Sequence, residues 1–434
     1  MGIMKRIAYL SVLLVLLLTN ISWAQWQLRN NGINESINNL ARSIDALDGN
    51  FAVAAFYTKI YKTNDSGLNW VDITPPNESN FVDVSVIDTA KIWITTGTGK
   101  IMYTNNGGNS WAVQFYDISK TQFMNYIRMF DSLNGIAMGD AANSNSPAMF
   151  LKTTNRGANW ISVNNNLKGD HSNNAWGNVD FIDMNNGYFS SGNTGENPNQ
   201  ILKTSDGGLT WTTTNKFVMD VVKFYDINVG VLANLASVYK TTDGLNSMDS
   251  VRSFFGFVTD IEFLPGDKSK VFYLEIDNLF FSSDTGKTWQ ILLSSAPEGS
   301  ITELKGRDMV FTDNNHCWII CNSGRVFYNS NISGTITGIE QETNVLPENY
   351  VLEQNYPNPF NPSTVIKFQL PESGFVTLKI YDMLGREIKT LVNEYKTSGS
   401  YSVRFNATGL ASGVYLYELQ VNNHYAVKKL MLLR

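Results

Sequence analysis

Short apolar runs separated by polar turns dominate the chain from residue 25 to residue 333. Many of these runs alternate apolar and polar positions, as in FVDVSV and KIYKT. Alternation with a period of two, bounded by Gly, Asn, Asp and Ser, is typical of β-strands, whereas an amphipathic helix repeats its apolar positions every three or four residues. The pattern therefore predicts an all-β region.

An eight-residue string marks a repeat along this region. The full copies are TNDSGLNW at 63–70, TNNGGNSW at 104–111, TTNRGANW at 153–160, TSDGGLTW at 204–211 and SSDTGKTW at 282–289. Two weaker copies begin at Thr241 and Asn329, and successive Asp or Asn markers lie 37 to 51 residues apart. Because four short strands fit into each interval, the repeat predicts a β-propeller with seven blades.

Each position of the string has an expected role in a tight turn. An Asp or Asn oxygen can accept backbone N–H bonds, a glycine can adopt a positive φ, and a tryptophan can pack between neighbouring blades. A phosphate loop would need a Lys-Ser/Thr pair before a helix, and a calcium loop would need several carboxylates. The residues expected in this architectural role are Asp65, Gly67, Trp70, Asn106, Gly108, Trp111, Asn155, Gly157, Trp160, Asp206, Gly208, Trp211, Asp243, Asp284, Gly286 and Trp289.

The N-terminal strand has no repeat unit of its own. WQLRN at residues 26–30 resembles the tryptophan-headed fourth strand that follows the other markers, and the seventh unit lacks such a strand. Pairing the first strand into the last blade would close the ring and cover an edge. We predict that residues 26–30 complete blade seven, and we place the propeller at residues 25–333.

Residues 1–24 have the pattern of a secretory signal. Two basic residues precede a mostly apolar run at residues 7–21, which is short for a membrane span. Small residues occupy the −3 and −1 positions of a cleavage site, so we expect cleavage between Ala24 and Gln25. A retained membrane anchor is the alternative.

Composition limits the partners and the chemistry. The 434 residues carry a net charge of −6, and residues 25–345 carry −10. An acidic propeller has no basic stripe to neutralise phosphates, which argues against a nucleic-acid partner. The three histidines are isolated, and Cys317 and Cys321 are too far apart along one strand for a disulfide. We expect no disulfide, no metal site and no cofactor.

The last 85 residues differ from the repeat. Residues 334–349 are polar and lack a strand pattern, so we expect a linker there. The prolines of NYPNPFNPST at residues 355–364 exclude a helix and impose an extended entry. Alternating runs such as FVTLKIY and VYLYELQV follow, and they predict a β-sandwich of about seven strands at residues 350–434.

Two parts of the sequence resemble known families. NYPNPFNPST, IYDMLGREI, LASGVYLYEL and KKLMLLR are similar to the type A C-terminal sorting domain of the type IX secretion system. The eight-residue string resembles the Asp-box, or BNR repeat, and the seven units together resemble photosystem II assembly-factor propellers, which are binding scaffolds. The first resemblance implies a bacterial protein that interacts with the type IX machinery and is secreted or held at the outer cell surface.

A glycoside hydrolase is the alternative to a binding scaffold. Asp-box sialidases need three arginines, a Tyr–Glu pair and an acid Asp, and their first arginine lies in an FRIP-like string that this sequence lacks. Xyloglucan-type glycosidases use two propellers, whereas only one fits here. A carboxylate pair across the central channel stays open, because sequence spacing does not fix the distance between two carboxylates. We assign no catalytic residue and favour a protein that binds an extracellular glycan, peptide or protein.

Three neighbouring loops are long for their class and predict a binding face opposite the Asp-box turns. They are GDAANSNSPA at 139–148, NNNLKGDHSNNAWGN at 164–178 and SGNTGENPNQ at 191–200. A sugar or peptide would stack on a tryptophan there and hydrogen-bond to amides and carboxylates. The alternative is a set of solvated insertions above a buried tryptophan. The candidate binding residues are Asp140, Asp170, His171, Trp176, Asn193 and Glu196.

Overall fold

The computed structural model is almost entirely antiparallel β-structure. It describes residues 26–36, 39–143, 146, 148–163, 167, 178–191, 200–217, 219–235, 237–253, 257–294, 304–337, 349–355, 357–372, 374–396 and 399–433. The chain forms two compact units, residues 1–338 and residues 339–434. Residues 1–25, which include the expected signal and its cleavage site at Ala24 and Gln25, lie outside the described part.

Six blades of the first unit each contain four consecutive strands in antiparallel order. Blade one contains Ala41–Ala46, Ala52–Phe56, Ile60–Thr63 and Val71–Asp72. Blade two contains Phe81–Val86, Ile92–Thr96, Lys100–Thr104 and Ala112–Tyr116. Blade three contains Met124–Met129, Gly135–Gly139, Met149–Thr153 and Ile161–Val163.

The next three blades repeat this order of strands. Blade four contains Val179–Phe181, Gly187–Ser191, Gln200–Thr204 and Thr212–Phe217. Blade five contains Val221–Phe224, Gly230–Ala233, Ser237–Thr241 and Asp249–Ser253. Blade six contains Val258–Leu264, Asp267–Glu275, Asn278–Ser282 and Gln290–Ser294.

Blade seven is assembled from both ends of the unit. Gly306–Phe311, Cys317–Cys321 and Arg325–Asn329 form its first three strands, and Gln27–Leu28 pairs antiparallel with the third. The N-terminal strand therefore supplies the fourth strand of the last blade. This arrangement satisfies backbone groups that an open edge would leave unpaired.

The first strands of the blades form the inner wall of a closed ring. Ala41–Ala46 contacts the first strand of blade two on one side and Gly306–Phe311 of blade seven on the other. The ring is filled between blades by buried apolar side chains, for example Trp70, Trp318 and Tyr328 between blades one and seven. The prediction of a seven-bladed all-β propeller is confirmed.

A short helix follows blade seven. The helix spans Ile332–Thr337, and Asn331 caps it because the Asn331 side-chain oxygen accepts the Gly334 N–H at 3.1 Å. The seventh copy of the marker thus begins a helix instead of an Asp-box turn. The sequence pattern did not indicate this helix, which overlaps the start of the expected linker at residue 334.

The second unit is a two-sheet sandwich, as expected. One sheet orders Val351–Leu352, Ser363–Leu370 and Gly399–Asn406, and the other orders Glu387–Lys396, Gly374–Tyr381, Gly413–Val421 and His424–Leu432. Alternate residues of these strands point inward and form a separate apolar core that includes Phe368, Leu378 and Tyr417.

Turn hydrogen bonds distinguish the two faces of the propeller. The Asp-box turns, between third and fourth strands, donate to the turns between first and second strands, as in Gly207 N–H to Asn185 O at 2.7 Å. The loops between second and third strands instead contact the segments that precede the first strands, as in Asp140 N–H to Phe123 O at 2.9 Å. We call these the Asp-box face and the loop face.

Candidate functional site

A central channel with a cavity of about 430 Å³ runs between the first strands of the seven blades. Alternate residues of each first strand face the channel. The pairing of each first strand with the second strand of its blade shows which of these residues lie at the same depth along the channel axis. The first layer, nearer the loop face, contains Ser43, Asp83, Tyr126, Asn178, Val221, Asp260 and Asp308. The second layer contains Asp45, Ser85, Arg128, Asp180, Lys223, Glu262 and Val310.

Five channel aspartates each accept a backbone N–H from the next blade. The pairs are Val86 N–H to Asp45 (2.7 Å), Ile127 N–H to Asp83 (2.8 Å), Phe224 N–H to Asp180 (2.8 Å), Met309 N–H to Asp260 (3.0 Å) and Ile44 N–H to Asp308 (2.8 Å). Each bond joins the first strands of two neighbouring blades. The aspartates therefore form a belt around the channel, which we call the aspartate belt.

Charged side chains join the other two blade junctions. Between blades three and four, Arg128 Nη1 donates to Phe181 O at 2.9 Å and to Asp180 Oδ1 at 3.2 Å. Between blades five and six, Lys223 forms an ion pair with Glu262. Charges alternate along the second layer from Arg128 to Glu262, so each cation lies beside a carboxylate and the low-dielectric channel holds few uncompensated charges.

Burial raises the pKa values of several channel carboxyl groups and so favours their neutral forms. Desolvation raises the pKa of Asp45 to about 6 and the pKa of Asp83 to about 7. Desolvation and the adjacent charge of Asp308 raise the pKa of Asp260 well above its usual range. The carboxyl groups of Asp260 and Asp308 hydrogen-bond to each other, and both accept the same Met309 N–H, at 3.0 and 3.1 Å. Two such carboxyls share one proton more readily than they both ionise.

The channel mouth on the loop face is basic and polar. Bulges at the starts of the first strands turn Arg42, Asn125, Thr259 and Arg307 into the cavity. Arg42 and Arg307 come from adjacent blades, one and seven. The guanidinium of Arg42 also lies 4.9 Å above the ring of Tyr57.

Asp140 is the one candidate binding residue that falls in the described part of the chain. Its carboxylate accepts the Asn125 side-chain amide at 2.6 Å, which places it on the loop face beside a channel-lining residue. Asp170, His171, Trp176, Asn193 and Glu196 lie outside the described residues. Their grouping around the channel mouth stays a prediction.

The aspartate belt and the arginines at the mouth are not predicted from the sequence. The signal was present, because acidic residues alternate with apolar ones in the first-strand runs FVDVSV, NVDF and DIEF. Such alternation also fits a strand whose polar side faces bulk water. Ring closure, which turns those positions into a channel, depends on pairing between distant parts of the chain.

The Asp-box turns use their side chains within the turn. Asp206 accepts the Thr210 N–H at 2.9 Å and the Thr210 hydroxyl at 2.6 Å, while the Gly208 N–H donates to the Thr204 hydroxyl at 2.9 Å. Asp65, Asn106, Asn155, Asp243 and Asp284 make the equivalent backbone contacts.

The glycines of these turns share one backbone conformation, whereas the tryptophans differ in burial. Gly67, Gly108, Gly157, Gly208 and Gly286 all have positive φ, and Leu245 holds the same position in blade five with φ 69°. Trp70 and Trp211 are buried, whereas Trp111, Trp160 and Trp289 are half-buried. The indole of Trp111 donates to Ile73 O of the preceding blade at 2.8 Å.

The described residues contain neither a metal-binding cluster nor a membrane-spanning helix. No group of three or more His, Cys, Asp or Glu side chains among them could hold a metal ion. Within the same ranges, no helix has the length and apolar character needed to cross a membrane. Cys317 and Cys321 are buried free thiols.

Solved structures of propellers are similar to this chain. YCF48 bound to D1 peptide has a TM-score of 0.54 and 15% identity over 70% of this chain and 96% of its own. YCF48 from Cyanidioschyzon merolae has a TM-score of 0.52 and 14% identity over 70% of this chain and 98% of its own. The GH74 xyloglucanase from Xanthomonas campestris has a TM-score of 0.53 and 12% identity over 79% of this chain and 59% of its own. At these identities, the similarity shows a shared fold.

A family match identifies the second unit. No curated protein matches the chain. Residues 354–433 match the secretion system C-terminal sorting domain, and this range covers nearly all of the sandwich described above. The chain therefore carries the sorting domain of a type IX secretion system substrate, which indicates export to the cell surface or the medium.

Proposed function

We propose that the propeller is an extracellular binding module and that its ligand docks at the channel mouth on the loop face. The observation that carries this proposal is the aspartate belt. Its carboxylates accept the backbone amides of neighbouring blades along the channel wall, while arginine, amide and hydroxyl groups line the mouth above the belt.

The same belt argues against hydrolysis by the pair Asp260 and Asp308. A glycosidase needs two carboxyl groups about 5 Å or more apart, with the sugar between them. Asp260 and Asp308 hydrogen-bond directly to each other, so no anomeric carbon fits between them. A glycoside hydrolase stays the second candidate, supported by the shared fold with the GH74 enzyme, of which this chain spans 59%.

The chemistry of the mouth favours a peptide with an accessible carboxylate. Arg42 and Arg307 offer planar guanidinium groups from adjacent blades, and such groups match carboxylate geometry. Asn125 and Thr259 can hydrogen-bond to a peptide backbone beside them. A propeller of the same fold is bound to a peptide. Asp140 and the sequence-based candidates Asp170, His171, Trp176, Asn193 and Glu196 would form the rim of this site.

A binding assay on the secreted full chain tests the proposal. Peptide arrays with free or amidated C-termini and a glycan array should show that free-carboxylate peptides bind best. The double substitution Arg42→Gln and Arg307→Gln should weaken this binding at least tenfold. Arg156→Gln is the matched control, because Arg156 lies in an Asp-box turn on the opposite face.

Three outcomes would contradict the proposal. Binding that is unchanged in the double variant would remove the mouth as the site. A preference for glycans over all peptides would replace the ligand class. Hydrolysis of a fluorogenic glycoside by the wild-type chain, lost on Asp260→Asn, would establish the enzyme alternative.

Export is tested separately in cells with a type IX system. Removal of residues 350–434 deletes the sandwich and leaves the seven blades intact. We expect the shortened chain to accumulate in the periplasm, because the sorting domain is gone. Normal appearance of the shortened chain outside the cell would contradict this role of the domain.

A further inference from the structure

Four blades carry a lysine at the same position of the third strand. Lys62, Lys152, Lys203 and Lys240 each precede the Thr that starts the Asp-box turn. In blade one, Lys62 Nζ donates to Gly107 O of blade two at 2.7 Å. In blade three, Lys152 Nζ donates to Met184 O of blade four at 2.8 Å. At these two positions the lysine therefore crosses to the next blade and fills the groove between them.

Blade four breaks this pattern because of the residue opposite its lysine. Val53 pairs with Lys62 and Ile136 pairs with Lys152, whereas Tyr188 pairs with Lys203. The Tyr188 ring stacks on Phe224 of blade five, with ring centroids 3.5 Å apart.

Tyr188 also takes the carbonyl that the lysine would use. Its hydroxyl donates to Ile227 O at 2.7 Å. Ile227 is the counterpart of Met184, since each follows the aspartate of the turn between first and second strands. The carbonyl equivalent to the acceptor of Lys152 is therefore already hydrogen-bonded to Tyr188, and no hydrogen bond from Lys203 to it is observed.

An open cavity of about 380 Å³ lies at this junction of blades four and five. Lys203 and Ser205 line it from blade four, and Asn228 and Asp243 line it from blade five. Within the described ranges, neither the Lys203 ammonium nor the Asn228 side-chain amide has a hydrogen-bond partner. The groove thus combines a cation and a side-chain amide that make no hydrogen bond within the described ranges, on the Asp-box face and away from the channel.

We propose that this cavity binds a saccharide that carries a carboxylate. The ammonium supplies up to three donors to one anionic group, and the amide of Asn228 can donate and accept with neighbouring sugar hydroxyls. The Ile227 side chain, 53% exposed, offers an apolar wall for a sugar ring. The volume falls within the range of small-molecule sites. This site is independent of the channel mouth.

The charges of the cavity narrow the ligand class. Lys203 is the single cation among the lining residues, so one carboxylate is matched and a polyphosphate is not. Asp243 is engaged by its own turn, because its carboxylate accepts the Ser247 N–H at 2.8 Å and the Ser247 hydroxyl at 2.6 Å.

Titration calorimetry and saturation-transfer NMR on the full chain test the proposal with three probes. The probes are methyl glucuronide, methyl glucoside and acetate. We expect saturable binding of the glucuronide, and at least tenfold weaker binding of the glucoside and of acetate. Lys203→Met, which keeps the chain length and removes the charge, should weaken glucuronide binding at least tenfold.

Lys240→Met is the matched control. Lys240 occupies the same strand position in blade five and lines neither cavity described here. We expect unchanged glucuronide affinity, and an unchanged melting temperature in both variants would show that the folds are intact. Acetate that binds as tightly as the glucuronide, a glucoside that binds as tightly, an unaffected Lys203→Met variant, or no saturable binding of the glucuronide would each overturn the proposal.

Discussion

Aspartates of the Asp-box turns and aspartates of the central channel both accept hydrogen bonds from backbone N–H groups. The number of residues between donor and acceptor differs greatly between the two regions. Asp206 in a turn reaches Thr210, four residues away. Asp83 in the channel reaches Ile127, 44 residues away on another blade. The turn aspartate therefore stabilises one hairpin, whereas the channel aspartate joins two blades.

Their pKa shifts run in opposite directions. Burial would raise the pKa of Asp206, but hydrogen bonds from Thr210 and from the Thr204 hydroxyl outweigh it and lower that pKa. Burial dominates at Asp83 and raises its pKa to about 7. The hydrogen bond alone therefore does not set the charge state of these aspartates. Access to water around the carboxylate decides whether the ionised form is favoured.

Replacement of a buried turn tryptophan should cost more stability than replacement of a turn carboxylate. Trp211 is 4% exposed, and its ring lies 5.0 Å from the ring of Phe150 and 5.9 Å from that of Phe189. Trp211→Ala should lower the free energy of unfolding by about 3–5 kcal/mol, because it opens a cavity between blades three and four. Chemical denaturation measures this loss. Leu209→Ala is the control, since Leu209 is exposed in the same turn, and equal losses in both variants would contradict the packing role.

The next effect tests the channel carboxylates. The folded chain holds the Asp83 proton more strongly than the unfolded chain, so this group stabilises the fold at low pH and that stability is lost as pH rises from about 4 to about 7. Asp83→Asn should remove this pH dependence, so the free energy of unfolding of the variant relative to wild type should rise by about 2 kcal/mol between pH 5 and pH 8. Denaturation at pH 5 and pH 8 measures the change.

Asp249→Asn is the control for the removal of a charge, because Asp249 is exposed on an outer strand of blade five. We expect it to leave the difference in stability between pH 5 and pH 8 unchanged. A fall in stability between pH 5 and pH 8 that is as large in Asp83→Asn as in wild type would show that the ionisation of Asp83 does not oppose folding.

A smaller loss is expected at the turn carboxylate. Asp206→Ala should lower the free energy of unfolding by about 1–2 kcal/mol, because the Thr210 N–H and hydroxyl lose their acceptor. Asp243→Ala should lower the melting temperature by about as much as Asp206→Ala does. Asp243 closes its turn with the same contacts, although Met248 replaces the tryptophan there. A stable Asp243→Ala variant would show that the hydrogen bonds depend on the tryptophan.

The smallest expected change is the loss of the stabilisation by Asp206 in acid. A lowered pKa means that the folded chain releases the Asp206 proton more readily, so its stabilisation is present above about pH 4 and is lost as pH falls below that value. The stability difference between wild type and Asp206→Asn should therefore close as pH falls below about 4. If wild type is still more stable than Asp206→Asn at pH 2.5, the negative charge of Asp206 does not account for the difference in stability.

The repeat and the export domain can be recognised from the sequence alone. Each Asp-box turn is closed by contacts within eight residues, from the Thr204 hydroxyl to the Thr210 amide, so its residues stay together in the sequence and recur visibly. The sorting domain was recognisable for the same reason, because strings such as NYPNPFNPST and LASGVYLYEL are continuous.

The interior that the first strands enclose depends on long-range packing. Arg42 and Arg307 meet at the channel mouth because the ring closes between blades one and seven, and no local pattern relates residues 265 positions apart. The cavity at Lys203 depends on Tyr188 reaching a carbonyl of another blade. Side-chain periodicity fixes which side of a strand a residue occupies, whereas long-range packing fixes whether that side faces bulk water, a neighbouring blade or a channel.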